Sequence, residues 1–115
     1  MLALVCDSTN VFNPTESGSE GAVYRALHEE VAKWSGRRVL VTTFASNVAR
    51  LHTLGAVAEA TGRKLCVAGR SLDRIIEVAQ DNGYLADFPK PVSFDTAMGL
   101  RSITPMGHVR MMAAV

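Results

Sequence analysis

The chain has 115 residues, 48% hydrophobic and 20% charged, with twelve basic and eleven acidic side chains and a formal charge of +1. That length supports one domain with its own core rather than two, and a near-neutral balance excludes a global basic footprint for nucleic acid, so any basic surface has to be local. No apolar run reaches the roughly 20 residues of a membrane span. Met1 leads into a strand-like segment without a basic leader, so no signal peptide or membrane association is expected and the expected location is cytoplasmic.

The chain opens on L-A-L-V-C-D-S-T-N, residues 2–10, read as a buried strand that delivers Asp7 into a polar turn. Residues 17–36 read as a helix, with Val23, Leu27, Val31 and Trp34 at near-helical spacing and Gly36 as a stop. Ser17 and Glu20 have the spacing of a capping box, which would satisfy two backbone donors. R-R-V-L-V-T-T-F, residues 37–44, is a continuous β-branched run of the kind found in strands covered on both faces. Helical spacing returns over residues 46–62 through Val48, Leu51 and Ala58, and closes on Gly62. Residues 64–69 form another short buried strand. A helix started by Ser71 and ended by Gly83 then packs through Leu72, Ile75, Ile76 and Ala79. From Tyr84 the pattern loosens; residues 88–94, with two prolines, read as a connection into an edge strand, and residues 101–115 show no clear period. The alternation predicts an α/β fold: a three-layer α/β/α unit with a mostly parallel sheet and right-handed crossovers, of the Rossmann-like kind.

In such sheets ligands bind beyond the carboxyl ends of the strands, here the junctions C-D-S-T-N, T-F-A-S-N and A-G-R-S. The last two place Ser46, Asn47, Arg70 and Ser71 at helix starts, where free N–H groups attract anions, with Arg50 one turn into its helix. Ser and Asn at a helix start also serve simply as caps, and both readings stay open. His28, His52 and His108 have no metal-ligand spacing. Asp7 is a potential hard ligand, but one carboxylate cannot hold a catalytic zinc, and Glu20 has its capping role as the plain alternative. Cys6 and Cys66 read as buried free thiols.

Three stretches, residues 2–23, 37–51 and 62–85, taken together resemble consecutive segments of the ribonuclease J family, metallo-β-lactamase-fold nucleases with an inserted β-CASP domain. The resemblance runs over about residues 1–100, with D-S-T-N and T-F-A-S-N in order as its specific motifs. It implies a β-CASP-like domain over 1–100, with residues 1–10 resembling the last lactamase-domain strand, and a divergent tail over 101–115. By position, Asp7 resembles the aspartate that bridges two metal ions, generally zinc, and Glu20 resembles the acidic residue that orients a catalytic histidine. Ser46 and Asn47 match the turn near the RNA backbone, and Arg70 a basic residue on the same rim. The implied chemistry is metal-activated water attacking an RNA phosphodiester.

The H-x-H-x-D-H metal motif of that family and its later β-CASP histidines are not found in this sequence, and Gly107–His108 stands in the wrong context for the family's G-H motif. The resemblance thus implies a fragment of a ribonuclease J-like enzyme, catalytically incomplete and without a bound cofactor of its own, contacting RNA or phosphate at most. A tail of this kind is what a reading-frame shift or an artificial end would produce, so a truncated gene product or a cloned fragment is the expectation. Two alternatives remain: a stand-alone oligomeric interaction domain without a nuclease role, and an enzyme active only when another chain supplies the missing metal motifs. The apolar strand Leu2 to Cys6, lacking its lactamase-domain neighbours, leads to an expected homodimer.

Overall fold

The computed structural model describes residues 18–99 and 111–114, together with residues 3, 12 and 14–16. Asp7, Cys6, Ser17, His108 and the expected opening strand lie outside the described residues. In chain order the elements are α1 (Glu20–Lys33), β1 (Val39–Val41), α2 (Val48–Ala60), β2 (Lys64–Val67), α3 (Arg70–Asp81), α4 (Phe94–Gly99) and β3 (Met111–Ala114). The chain is a mixed α/β unit, as its alternating patterns imply. Among the described residues no helix is long and apolar enough to cross a membrane.

The core forms where three helices meet one face of the sheet. Val31 of α1, Leu51, Leu54, Val57 and Ala58 of α2, and Leu72, Ile76 and Ala79 of α3 pack with Leu65 and Val67 of β2, while Val39 and Val41 of β1 lie against them partly buried. Helix α3 shows the cause plainly: Leu72, Ile75, Ile76 and Ala79 recur at i, i+3, i+4 and i+7, so one stripe turns inward. On the other side of the sheet Cys66 packs with Ala97 of α4 and with Val92. Within α2, Gly55 permits a close approach, since a Cβ there would lie 2.9 Å from the Phe88 ring and from Pro89.

Four expectations change in the folded chain. The N-cap of α1 is Ser19, whose hydroxyl accepts the Ala22 N–H at 3.2 Å, so Glu20 is the first helical residue and not the third residue of a capping box. Among the described residues, strand β1 is covered on one face: Val39 and Val41 face the core, whereas Leu40 is 67% exposed, and α4 packs on this side of the sheet over β2. Residues 88–94 contribute one isolated bridge, Val92 to Cys66, before Phe94 enters α4, in place of an edge strand. Residues 111–114, which show no clear period in the sequence, form the central strand. β3 lies between β1 and β2 and pairs with both in parallel, in the sheet order β1-β3-β2. Met-Met-Ala-Ala has no β-branched residue and no alternation, so neither propensity nor pattern marks it as a strand.

Arg63 is the polar element of this packing. Only 5% exposed, it donates through Nη1 to the Arg37 carbonyl and through Nη2 to the carbonyls of Val31 and Trp34, each at 2.9 Å. The guanidinium therefore ties the end of α1 to its connection to β1, sharing two of these carbonyls with backbone donors: Val31 O also accepts the Trp34 N–H and Trp34 O the Arg37 N–H, each at 3.2 Å. Arg63→Met keeps the bulk and removes the donors. The expected loss is roughly 1.5–3 kcal/mol in urea-induced unfolding, the scale of hydrogen bonds from a charged group; a loss below about 0.5 kcal/mol would contradict this role.

Candidate functional site

Two loops leave the sheet at the same level. Val41 of β1 and Val67 of β2 both pair with Ala114 of the intervening β3, and all three strands are parallel. The carboxyl ends of β1 and β2 thus point the same way, two strand spacings apart, roughly 10 Å. The first loop carries Thr42, Thr43, Phe44, Ser46 and Asn47 into α2; the second carries Gly69 into α3.

The first junction is closed by its own hydrogen bonds. The Asn47 N–H donates to the Phe44 carbonyl at 3.1 Å, and Asn47 Oδ1 accepts the Arg50 N–H at 3.0 Å, so its side-chain oxygen caps α2. Ser46 is exposed in the same turn. One turn on, Arg50 reaches across to α1: its Nε donates to Glu20 Oε1 at 2.8 Å and its Nη2 lies 3.5 Å from Oε2, while the buried Thr53 hydroxyl donates to Oε1 at 2.9 Å. Hydrogen bonding from Arg50 holds the Glu20 carboxyl below the usual glutamate range; partial burial opposes this, and Thr53 and the Arg50 charge reinforce it.

The second junction differs from the sequence reading. Helix α3 begins at Arg70 with Gly69 as its N-cap, not at Ser71, and the cap has no side-chain hydrogen bond. Gly69 has φ +135°, a backbone region open to glycine, and its carbonyl accepts the N–H groups of Leu72 and Asp73 at 3.0 and 3.1 Å. Arg70 is exposed at this helix start.

Thr42, Thr43, Phe44, Asn47 and Arg50 line a hollow of about 460 Å³ at the end of β1. The fold thereby joins Asn47 to Arg50, and through Arg50 to Glu20. Ser46 shares their turn without lining the hollow, and Arg70 stands across β3. Thr43 and Phe44 lie in the T-F-A-S-N junction but are not singled out by the sequence as site residues, and Thr42 stands just before it. Their signal was position: they directly follow the apolar run at a strand's carboxyl end. His52 is exposed and lines neighbouring hollows with Glu20 and Thr53, and His28 stacks on Tyr24 with ring centroids 6.0 Å apart. Burial raises the pKa of the free Cys66 thiol. Among the described residues no group of three or more His, Cys, Asp or Glu side chains could hold a metal ion.

Residues 36–105 match the family model described as Ribonuclease J, beta-CASP domain. The chain belongs to the Ribonuclease J β-CASP domain family. It is 44% identical over 85 residues to Ribonuclease J of Sinorhizobium meliloti, a match covering 74% of this chain and 15% of that protein. Similarity to Ribonuclease J of Corynebacterium glutamicum is 42% over 82 residues, covering 71% and 11%, and to Ribonuclease J2 of Bacillus subtilis 35% over 85 residues, covering 74% and 15%. The chain therefore spans about 15% of the length of the first of these relatives. The β-CASP match takes in Ser46, Asn47, Arg50 and Arg70; Asp7 and Glu20 precede it.

The Glu20 contacts carry a pH signature. Because the folded pKa is lowered, this carboxylate contributes stability above the unfolded glutamate pKa, and the contribution disappears as pH falls through the folded value. Both partners are about one-third exposed, so solvent screening limits the effect to about 1 kcal/mol. Glu20→Gln should cost about that much near neutral pH and little at acidic pH. Denaturant titrations of both proteins across the acid range check this; a difference independent of pH would contradict it.

Proposed function

We propose that this chain is the β-CASP portion of a Ribonuclease J-like ribonuclease, and that its own part in RNA hydrolysis is to hold the RNA by its phosphate backbone. The observation that carries the reading is the common level of the two strand ends. Ser46 and Asn47 follow one and Arg70 follows the other, on a sheet edge where parallel α/β folds bind anions. Arg50 extends the basic surface into the hollow beside β1. A protein of formal charge +1 can bind RNA through such a local patch without a global basic field.

In this reading zinc belongs to the full-length family's hydrolytic centre. The described residues do not fit such a centre, and Asp7 alone does not supply a catalytic ligand set, so no hydrolytic step is assigned to this chain. Glu20 is a positioning residue in the proposal, and its bonds to Arg50 and Thr53 are how it would be held. A three-layer β-CASP-like arrangement, cytoplasmic location and two-fold self-association belong to the same proposal; the exposed outer face of β1 at Leu40 supports the last.

Fluorescence anisotropy with single-stranded RNA tests the phosphate role. With about two or three phosphates contacted, log K should fall against log salt with a slope between about −1.4 and −2.1, and Arg70→Ala should reduce its magnitude by about 0.7. Salt-insensitive binding, or none, would favour the interaction-domain alternative. RNA cleavage that co-purifies with the chain in Mn²⁺ or Zn²⁺ and is lost in Asp7→Ala would favour an active enzyme.

A further inference from the structure

The geometry points to a nucleobase-binding site at Phe44, where the ring stacks on one unpaired base while Thr42, Thr43, Asn47 and Arg50 face the sugar and phosphate of the same nucleotide. This rests on the phosphate-backbone reading and adds a separate contact, to the base. Phe44 is 85% exposed. Its carbonyl is held by the Asn47 N–H at 3.1 Å, so a closed turn presents the ring beside the hollow.

The hollow's other walls suit a nucleotide. Two hydroxyls, a side-chain amide and a guanidinium stand around one aromatic ring. Arg50 uses Nε and Nη2 toward Glu20, and its Nη1 has no partner among the described residues. A volume of about 460 Å³ is on the scale of small-ligand sites. Tyr84 is also exposed beside hollows, but one of them is lined by Val48, Ile75, Val78, Ala79 and Asn82 and offers no cation. Another hollow beside Tyr84 holds His52 and Thr53 together with the Glu20 carboxylate, which repels phosphate. Trp34 has its indole N–H on Glu30 at 3.1 Å. Of these three exposed rings, Phe44 alone shares its hollow with a guanidinium. Stacking on such a ring tolerates any base and strengthens with base area, so purines should bind better than pyrimidines.

The test compares oligoadenylate with an abasic ribose-phosphate chain of the same length and charge, measured by anisotropy on the full chain. The wild type should prefer oligoadenylate by on the order of 5- to 150-fold, the range spanned by one base–aromatic stack. Phe44→Leu should remove the preference by weakening oligoadenylate alone, and Phe44→Trp should keep it. Unchanged thermal unfolding in both variants is expected, since the ring lies outside the core. Equal wild-type binding to the two probes, or a preference that survives Phe44→Leu, overturns the stacking site and leaves the phosphate reading standing. Binding to neither probe overturns both.

Discussion

Helix α2 meets two demands at once, and the geometry of the site follows from how it does so. Leu51, Leu54, Val57 and Ala58 are buried between α1, α3 and the sheet, and Gly55 lets Phe88 and Pro89 approach its backbone. The first turn of the same helix carries the Asn47 cap and Arg50. Burying a large aliphatic side chain contributes about 1.5–3 kcal/mol, whereas a partly exposed ion pair contributes about 1 kcal/mol or less. Packing therefore sets where the helix starts, and the Glu20–Arg50 pair adjusts an orientation already chosen.

Two arginines show how burial divides one residue type between roles. Arg63 is sealed in the core edge with three carbonyl acceptors, where a guanidinium fork can serve several oxygens in fixed positions. Arg50 is held on one side by Glu20 and opens on the other toward the hollow. The first is committed to the fold. The second is oriented by the fold and still has a donor to offer.

The same economy runs through the junctions. Asn47 caps α2, which is an ordinary structural task, and its N–H also closes the turn that presents Phe44. Capping and ligand contact are thus not exclusive at this turn: the cap uses the amide oxygen and leaves the side-chain nitrogen and the neighbouring ring available. At the second junction Gly69 dispenses with a side-chain cap, and Arg70 takes the first helical position with its charge in solvent. A nearly neutral chain in this way places cations near one end of its sheet.

By itself the sequence determined the alternation of elements, the inward stripe of α3 and the family, because these are local: they depend on spacing within a dozen residues or on motifs in order. It offered Ser46 and Asn47 together at the start of α2, and the folded chain makes Asn47 the cap. It also singled out Glu20 and Arg50 without relating them. Their pairing spans thirty positions and exists only because α1 packs on α2. Arg63 was invisible for the same reason, since its acceptors lie on another helix and a following loop. Met111–Ala114 carries no strand signal, and becomes the central strand through backbone hydrogen bonds to both neighbours, to which side-chain pattern is blind. The outer face of β1 was read as covered because a run of apolar residues reports strand formation and not which helices arrive above it. Tertiary structure alone decided that α4 reaches β2 and leaves Leu40 and Phe44 in the open.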